Sequence, residues 1–345
     1  MSRRSLTLLI AGLATVVAIC VSVFVSVPYV ILMPGPTLNT LGSMSGTPLL
    51  TIRGHKTFPT RGNLNLVTVS YTGNPPPDTG INIFQALRAW LDPSEAVVPA
   101  GEIFPAGQTA QQTQQQDTAQ MAGSQQQAEA AALTALHIAY RTTVTVTAAE
   151  KGTPASGVLK AGDVIVSVDG TKVTGATQLT SLITAHPAGT TLSLVVSRDG
   201  KDVPLSVATK EIGGKPVVGI EVQEGYIFPF TVKFSVGNIG GPSAGMMFAL
   251  GIIDKITSLN LTGGKFIAGT GEITPAGQVE PIGGIQQKMV GARDAGATVF
   301  LAPAGNCSDT AGAIPAGLRV VKVSTLSQAI SDLEALKAGK PVPSC

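Results

Sequence analysis

The sequence predicts an α+β chain with an apolar helix at its N-terminus. Three observations carry this reading. A basic start, "MSRR", is followed by a stretch without charge from residue 6 to residue 32. Beyond residue 35, strand-like and helix-like stretches mix through the whole chain, as in an α/β or α+β domain. Within them, residues 141–208 concentrate short strands, Asp-Gly turns and one helix, which together read as a half-open barrel.

The apolar start comes first. About 20 apolar residues span a bilayer as a helix. The next charge after Arg4 is Arg53, so Arg3 and Arg4 are expected on the cytoplasmic side and the rest outside. A cleaved signal peptide has an apolar core of about 7–15 residues and a small-x-small cleavage site. This stretch is longer and ends in "VSVPYVILMPGP", which favours an uncleaved anchor. A cytoplasmic stub and membrane anchor are therefore expected over residues 1–34, with everything after them extracytoplasmic. Cys20 falls in the anchor, whereas Cys307 and Cys345 lie in the exported part, where disulfides persist. They read either as a bridge or as two free thiols.

The chain of 345 residues is long enough for about two domains with real cores. Apolar residues make up 44% and charged residues 13%, which excludes a disordered chain. A net charge of +2 without a long basic run gives no footprint for nucleic acid. Nothing in the sequence points to a metal site or a cofactor.

The elements follow in order. "LLTI" and "LNLVTVS" are β-branched runs bounded by Gly and Pro and read as strands. "NIFQALRAWL" places Ile83, Leu87 and Leu91 at helical spacing. Residues 107–127 are dominated by Gln, Ala and Thr, and their first half is expected to be an exposed loop or a loosely held helix. "SQQQAEAAALTALHIAY" reads as a helix capped by Ser124. "TTVTVTA" and "GVLKAGDVIVSVDGTKV" give strands with a hairpin turn at Asp169–Gly170. "ATQLTSLITAH" is a helix, and "TTLSLVVSRDGKDVPLSVAT" a hairpin. "KPVVGIEV", "FPFTVKFSV" and "LRVVKV" are further strands, and Ser324 is expected to cap the last helix.

The run built on "GVLKAGDVIVSVDGTKV" and "GTTLSLVVSRDGK" resembles a bacterial PDZ domain. The resemblance implies binding of an extended peptide end, added as a strand to a sheet edge. The loop that holds the peptide carboxylate in that family falls here on Ile138, Ala139, Tyr140 and Arg141, without the family's usual glycines.

The chemistry centres on "GNIGGPSAGMMFALGII". Gly240 and Gly241 let backbone approach a substrate, and Ser243 follows them at the start of an apolar helix. Free N–H groups there suit a developing oxyanion, and the backbone of Gly241, Pro242 and Ser243 is the candidate cradle. Serine alone is a weak nucleophile and needs a base. "GPSAG" matches the letters of the G-x-S-x-G elbow, but no histidine follows Ser243, as that elbow requires. His55, His137 and His186 have no suggestive setting, and S-x-x-K is absent. The remaining base is Lys288, flanked on its helix by Ile285, Met289 and Ala292. An apolar setting lowers a lysine pKa; the bland reading is a solvated helix lysine.

"GGPSAGMMFALGIID", "GTGEITPAGQVEPIGGIQQKMVGARDAGA" and "VFLAP" resemble the proteolytic domain of Lon proteases in order and spacing, over about residues 210–336. More faintly, "SQQQAEAAALTAL" resembles that fold's first helix. The resemblance implies a PDZ half-barrel inserted into a Lon-type mixed α/β domain, as in membrane-anchored Lon-like proteases of bacteria. The expected parts are residues 35–140 and 209–345 for the Lon-type domain and 141–208 for the PDZ domain. It implies a Ser–Lys dyad of Ser243 and Lys288, with Thr270 beside the lysine. Where many Lon proteases have an acidic residue before "GPSAG", this chain has Gly240. No "GxxxxGK[ST]" occurs, so no ATPase motor is expected. Unfolded or flexible proteins and peptides are the expected substrates, and a homo-oligomeric ring is implied by resemblance. The rival reading is a catalytically silent PDZ adaptor on a membrane tether.

Overall fold

The computed structural model describes residues 3–76 and 79–345. In chain order, helix α1 (Arg3–Phe24) precedes strands β1 (Tyr29–Asn39) and β2 (Asn63–Thr72). Helix α2 (Ile83–Leu91), strand β3 (Ala96–Pro99) and helix α3 (Ala110–Ala135) follow. Next come β4 (Arg141–Ala149), β5 (Val164–Val168), helix α4 (Ala176–Thr184), β6 (Thr191–Arg198), β7 (Lys201–Ala208) and β8 (Ile220–Ile227). The last part holds helix α5 (Gly245–Ile256), β9 (Phe266–Gly269), helix α6 (Ile285–Asp294), β10 (Val299–Pro303), β11 (Arg319–Val323) and helix α7 (Leu326–Lys337). The chain separates into two compact units, Met1–His137 with Phe230–Cys345, and Ile138–Pro229.

The first unit is built on a mixed sheet of order β11-β10-β9-β2-β1-β3. β1 runs antiparallel to β2 and β3, while β9 lies parallel to β2 and β10, and β10 parallel to β11. Helix α5 is buried along almost its whole length, from Met246 to Asp254. A helix apolar all round belongs in a core, and α5 packs against α3, β2 and α7. Helix α6 lies against β1 and β2. There Ile285, Met289 and Ala292 join Val67, Ala268 and Phe300 in one buried cluster. The structure closes a disulfide between Cys307 and Cys345. It holds the C-terminal tail where Lys322 N–H donates to Pro343 O, 3.2 Å away.

Three expectations for this unit change. The anchor was expected to reach residue 34, but α1 ends at Phe24 and residues 29–34 belong to β1. Pro28 cannot continue a helix and holds its predecessor extended, and the β-branched run after it pairs with β2 and β3. Helix α1 is long and apolar enough to cross a membrane; Met1 and Ser2 of the expected stub lie outside the described residues. Of the two readings offered for the Gln-rich stretch, loop or helix, the helix holds from Ala110 on. The stretch is the first half of one helix, α3, started by a capping box of Thr109 and Gln112. Ser124 therefore sits mid-helix rather than at a cap. The cap of α7 is Thr325, one residue after the expected Ser324.

The second unit is a half-barrel of sheet order β7-β6-β5-β4-β8, closed by α4. Leu179 of α4 packs with Val144, Ile165, Leu192 and Val196 in its core. Arg198 donates to both carboxylate oxygens of the buried Asp163 at 2.7 Å, which fixes the turn of "KAGD" against β6. The unit runs to Pro229, beyond the expected boundary at residue 208, because β8 pairs antiparallel along β4 from Ile220↔Ala149 to Ile227↔Arg141. Ile220 and Val222 of β8 pack against the core. Glu224 of β8 also accepts a hydrogen bond from Ala176 N–H at the start of α4. β8 thus fills the edge of β4, the strand that follows the residues expected to hold a peptide end. Of the four residues expected to hold a peptide end, Arg141 pairs with Ile227, and Tyr140 packs against Tyr226 and Phe228. Ile138 and Ala139 precede β4 at the start of the unit.

Candidate active site

Ser243 lies in the turn that leads into α5, whose first helical residue is Gly245. It is two residues short of the expected first helical turn. The turn is fixed from two sides. On one side stands α3: Ser124 Oγ donates to Pro242 O at 2.8 Å, and Gly241 N–H donates to Asp117 O at 3.0 Å. On the other side is the segment after β9. Ser243 O accepts from Thr270 Oγ1 at 3.0 Å and from Gly271 N–H at 2.8 Å. Met246 N–H then donates to Gly271 O at 3.0 Å, tying the first turn of α5 to the same segment.

Two glycines are required here. Gly241 has φ +83°, a conformation that side-chain-bearing residues rarely adopt. At Gly240 a Cβ would lie 2.5 Å from Asp117 Cβ. The backbone of Gly240 is therefore pressed against α3, and the acidic side chain beside it comes from Asp117 instead of from position 240.

Lys288 sits in the second turn of α6 and is 4% exposed. Its Nζ donates to Thr270 Oγ1 at 3.2 Å, and Thr270 is itself fully buried. Burial pulls the Lys288 amine down from an ordinary 10.5 to about 8, while Glu272 opposes this by favouring the charged form. Burial likewise raises the Glu272 carboxyl; Glu280 pushes the same way, and Lys288 against it.

Ser243 and Lys288 line one groove of about 1160 Å³. β2 contributes Thr68 to Tyr71, α3 contributes Asp117 and Met121, and the turn before α6 contributes Gly283 and Gly284. Asp117 is raised by burial, and Tyr71 by burial first and then by Asp117. Among the described residues, no group of His, Cys, Asp and Glu could hold a metal ion.

The structure thus brings Ser243, Thr270 and Lys288 together. It alters the expected oxyanion cradle. Proline has no N–H to donate, and that of Gly241 is already given to Asp117. The N–H groups of Ser243 and Ala244 are what this segment has left. Sequence reading gave Ser124 only a capping role and missed Asp117, because a Gln-rich stretch with no apolar period gave no sign of packing.

Residues 234–335 match the Lon protease (S16) C-terminal proteolytic domain, and residues 112–209 match the PDZ domain. Lon protease 1 of Bacillus subtilis (strain 168) is 35% identical over 101 residues, 29% of this chain and 12% of that relative. The Lon protease of Heliobacterium modesticaldum (strain ATCC 51547 / Ice1) is 37% identical over 109 residues, 30% of this chain and 13% of that relative. The chain thus covers only about an eighth of the length of these relatives. Among solved structures, the PDZ domain of the SdrC-like protein (Lmo2051) from Listeria monocytogenes is 25% identical. That match covers 23% of this chain and 85% of that one, with a TM-score of 0.22.

Proposed function

For a chain that carries a Lon-type proteolytic domain and a PDZ domain, we propose a serine endopeptidase that works through a dyad of Ser243 and Lys288. One observation carries the reading: a buried lysine, brought down to about 8, hangs from the hydroxyl that also binds the carbonyl of Ser243.

The steps follow from these groups. Neutral Lys288 takes the Ser243 Oγ proton as Oγ bonds to the peptide carbonyl carbon. The oxyanion is received by the N–H groups of Ser243 and Ala244 at the N-terminal end of α5. The intermediate collapses, the C–N bond breaks, and the Lys288 ammonium returns the proton to the leaving amine. Water then attacks the acyl-serine carbonyl and gives a proton to Lys288; the C–Oγ bond breaks, the ammonium returns that proton to Ser243 Oγ, and a carboxylic acid leaves. Thr270 is a positioning residue: it holds the amine without touching the reacting carbonyl.

The same reading makes α1 a single-pass anchor, with Arg4 cytoplasmic and both domains extracytoplasmic. Without an ATPase motif, the substrates are unfolded or flexible proteins and peptides. The PDZ unit recognises peptide substrates, and since β8 covers β4, a strand arriving there must displace β8. Assembly into a ring rests on the resemblance to Lon proteases alone.

The test is cleavage of unfolded casein, without nucleotide, by the full chain in lipid nanodiscs. Native protein should cut it, and Ser243→Ala and Lys288→Ala should not. Equal inertness of all three across substrates and pH would leave the adaptor reading standing.

A further inference from the structure

Helix α2 carries an apolar face that the fold does not cover. Ala86 and Ala89 point inward, onto a cluster with Ile31 and Ile81. On the other side, Phe84 is 45% exposed, Leu87 48%, Trp90 74% and Leu91 76%, and Ile83 completes the stripe. At 3.6 residues per turn these five side chains share a sector of about 120°. Gln85 and Arg88 fall outside it, and Arg88 is paired with Glu95 at 2.9 Å. A water-facing helix of nine residues with such a stripe is exceptional.

The position of α2 says what covers it. Its capping residue, Asn82, donates through Nδ2 to Val23 O at 3.3 Å, in the last turn of α1. Asn82 also forms an antiparallel bridge with Ser26. The start of α2 is therefore fastened to the end of the apolar helix, where that helix leaves the bilayer. Phe24 and Val25 are exposed beside this junction.

We propose that α2 is an interfacial membrane helix. Phe84, Leu87, Trp90 and Leu91 sit in the outer-leaflet boundary between headgroups and acyl chains, about 5–10 Å deep. Tryptophan is favoured at that level, where its amphipathic ring is half in and half out of lipid. The protein then meets the bilayer at two adjacent places, the span of α1 and the face of α2. This inference rests on α1 being a membrane span.

The molecule supplies its own probes. Trp90 is its one tryptophan, and Cys20, within α1, is its one free cysteine. The full chain would be placed in nanodiscs of phosphatidylcholine, plain or brominated near the top of the acyl chains. The expected result is about twofold or greater quenching of Trp90 by the brominated lipid. Cys20 should at the same time resist a membrane-impermeant maleimide. If Cys20 is protected while Trp90 ignores the bromines and is quenched by aqueous acrylamide, α2 faces water or another protein, and this inference fails alone. If Cys20 is labelled, the span is lost and the inference with it.

Discussion

Lys288 Nζ lies 3.2 Å from Thr270 Oγ1, and the same hydroxyl donates to the carbonyl of Ser243 at 3.0 Å. One buried side chain thus links the proposed base to the backbone of the proposed nucleophile. If Thr270 only filled space, a methyl group would replace its hydroxyl without harm. If it positions the amine, Thr270→Val should lower kcat about 10–100-fold with KM little changed. Thr270→Ser should keep most of the activity. Steady-state kinetics on a fluorogenic peptide give the split; equal activity of the two variants would end the positioning role.

The pH dependence follows from burial of Lys288. The amine works as a base only when neutral, so kcat/KM should rise with pH and level off above about 8. Glu272 favours the charged amine, so Glu272→Gln should move the rising limb to lower pH. A limb that stays in place, or moves up, would show that Glu272 does not act on Lys288.

Strand pairing makes a prediction for the PDZ unit. β8 lies along β4 and its Glu224 reaches the start of α4, so the edge is occupied from within the chain. A labelled peptide of residues 219–228 should bind the native chain poorly. Gln223→Pro, which removes a strand hydrogen bond where Gln223 faces Thr145, should tighten its binding about tenfold by opening the edge. Fluorescence polarisation reads this; equal binding by the two proteins would mean that the edge is open already.

Glu129 of α3 bears on stability. Its carboxyl is buried, and burial raises it from an ordinary 4.5 to about 8. Between those values the folded chain holds a proton that the unfolded chain has released. Stability therefore falls as pH rises through this window, by up to about 1.4 kcal/mol per unit. Burial raises Asp254 and Asp332 too, which adds slope in the same direction. Glu129→Gln should flatten the dependence; urea unfolding midpoints at several pH values check it, and an unchanged slope would contradict it.

The residues of the proposed dyad stand out in the sequence because their types are distinctive. A serine after two glycines, no later histidine, and one lysine on an apolar face left few bases to consider. What was not legible depends on contacts distant in sequence. Residues 29–34 read as a continuation of the anchor, since a buried central strand and a membrane helix are both uninterrupted apolar runs. Gln and Ala favour a helix, but they give no stripe from which to infer that Ser124 and Asp117 hold the turn before Ser243. β8 could not be joined to β4 from sequence, because its partner lies over seventy residues back, beyond the rest of the half-barrel.

The most direct test of the dyad is covalent labelling. The full chain in nanodiscs would be treated with a peptidyl fluorophosphonate at a pH above 8, then digested and mapped by mass spectrometry. The account predicts one adduct, on Ser243, forming about a hundredfold more slowly in Lys288→Ala. An adduct on another serine, or an unchanged rate without Lys288, would contradict it.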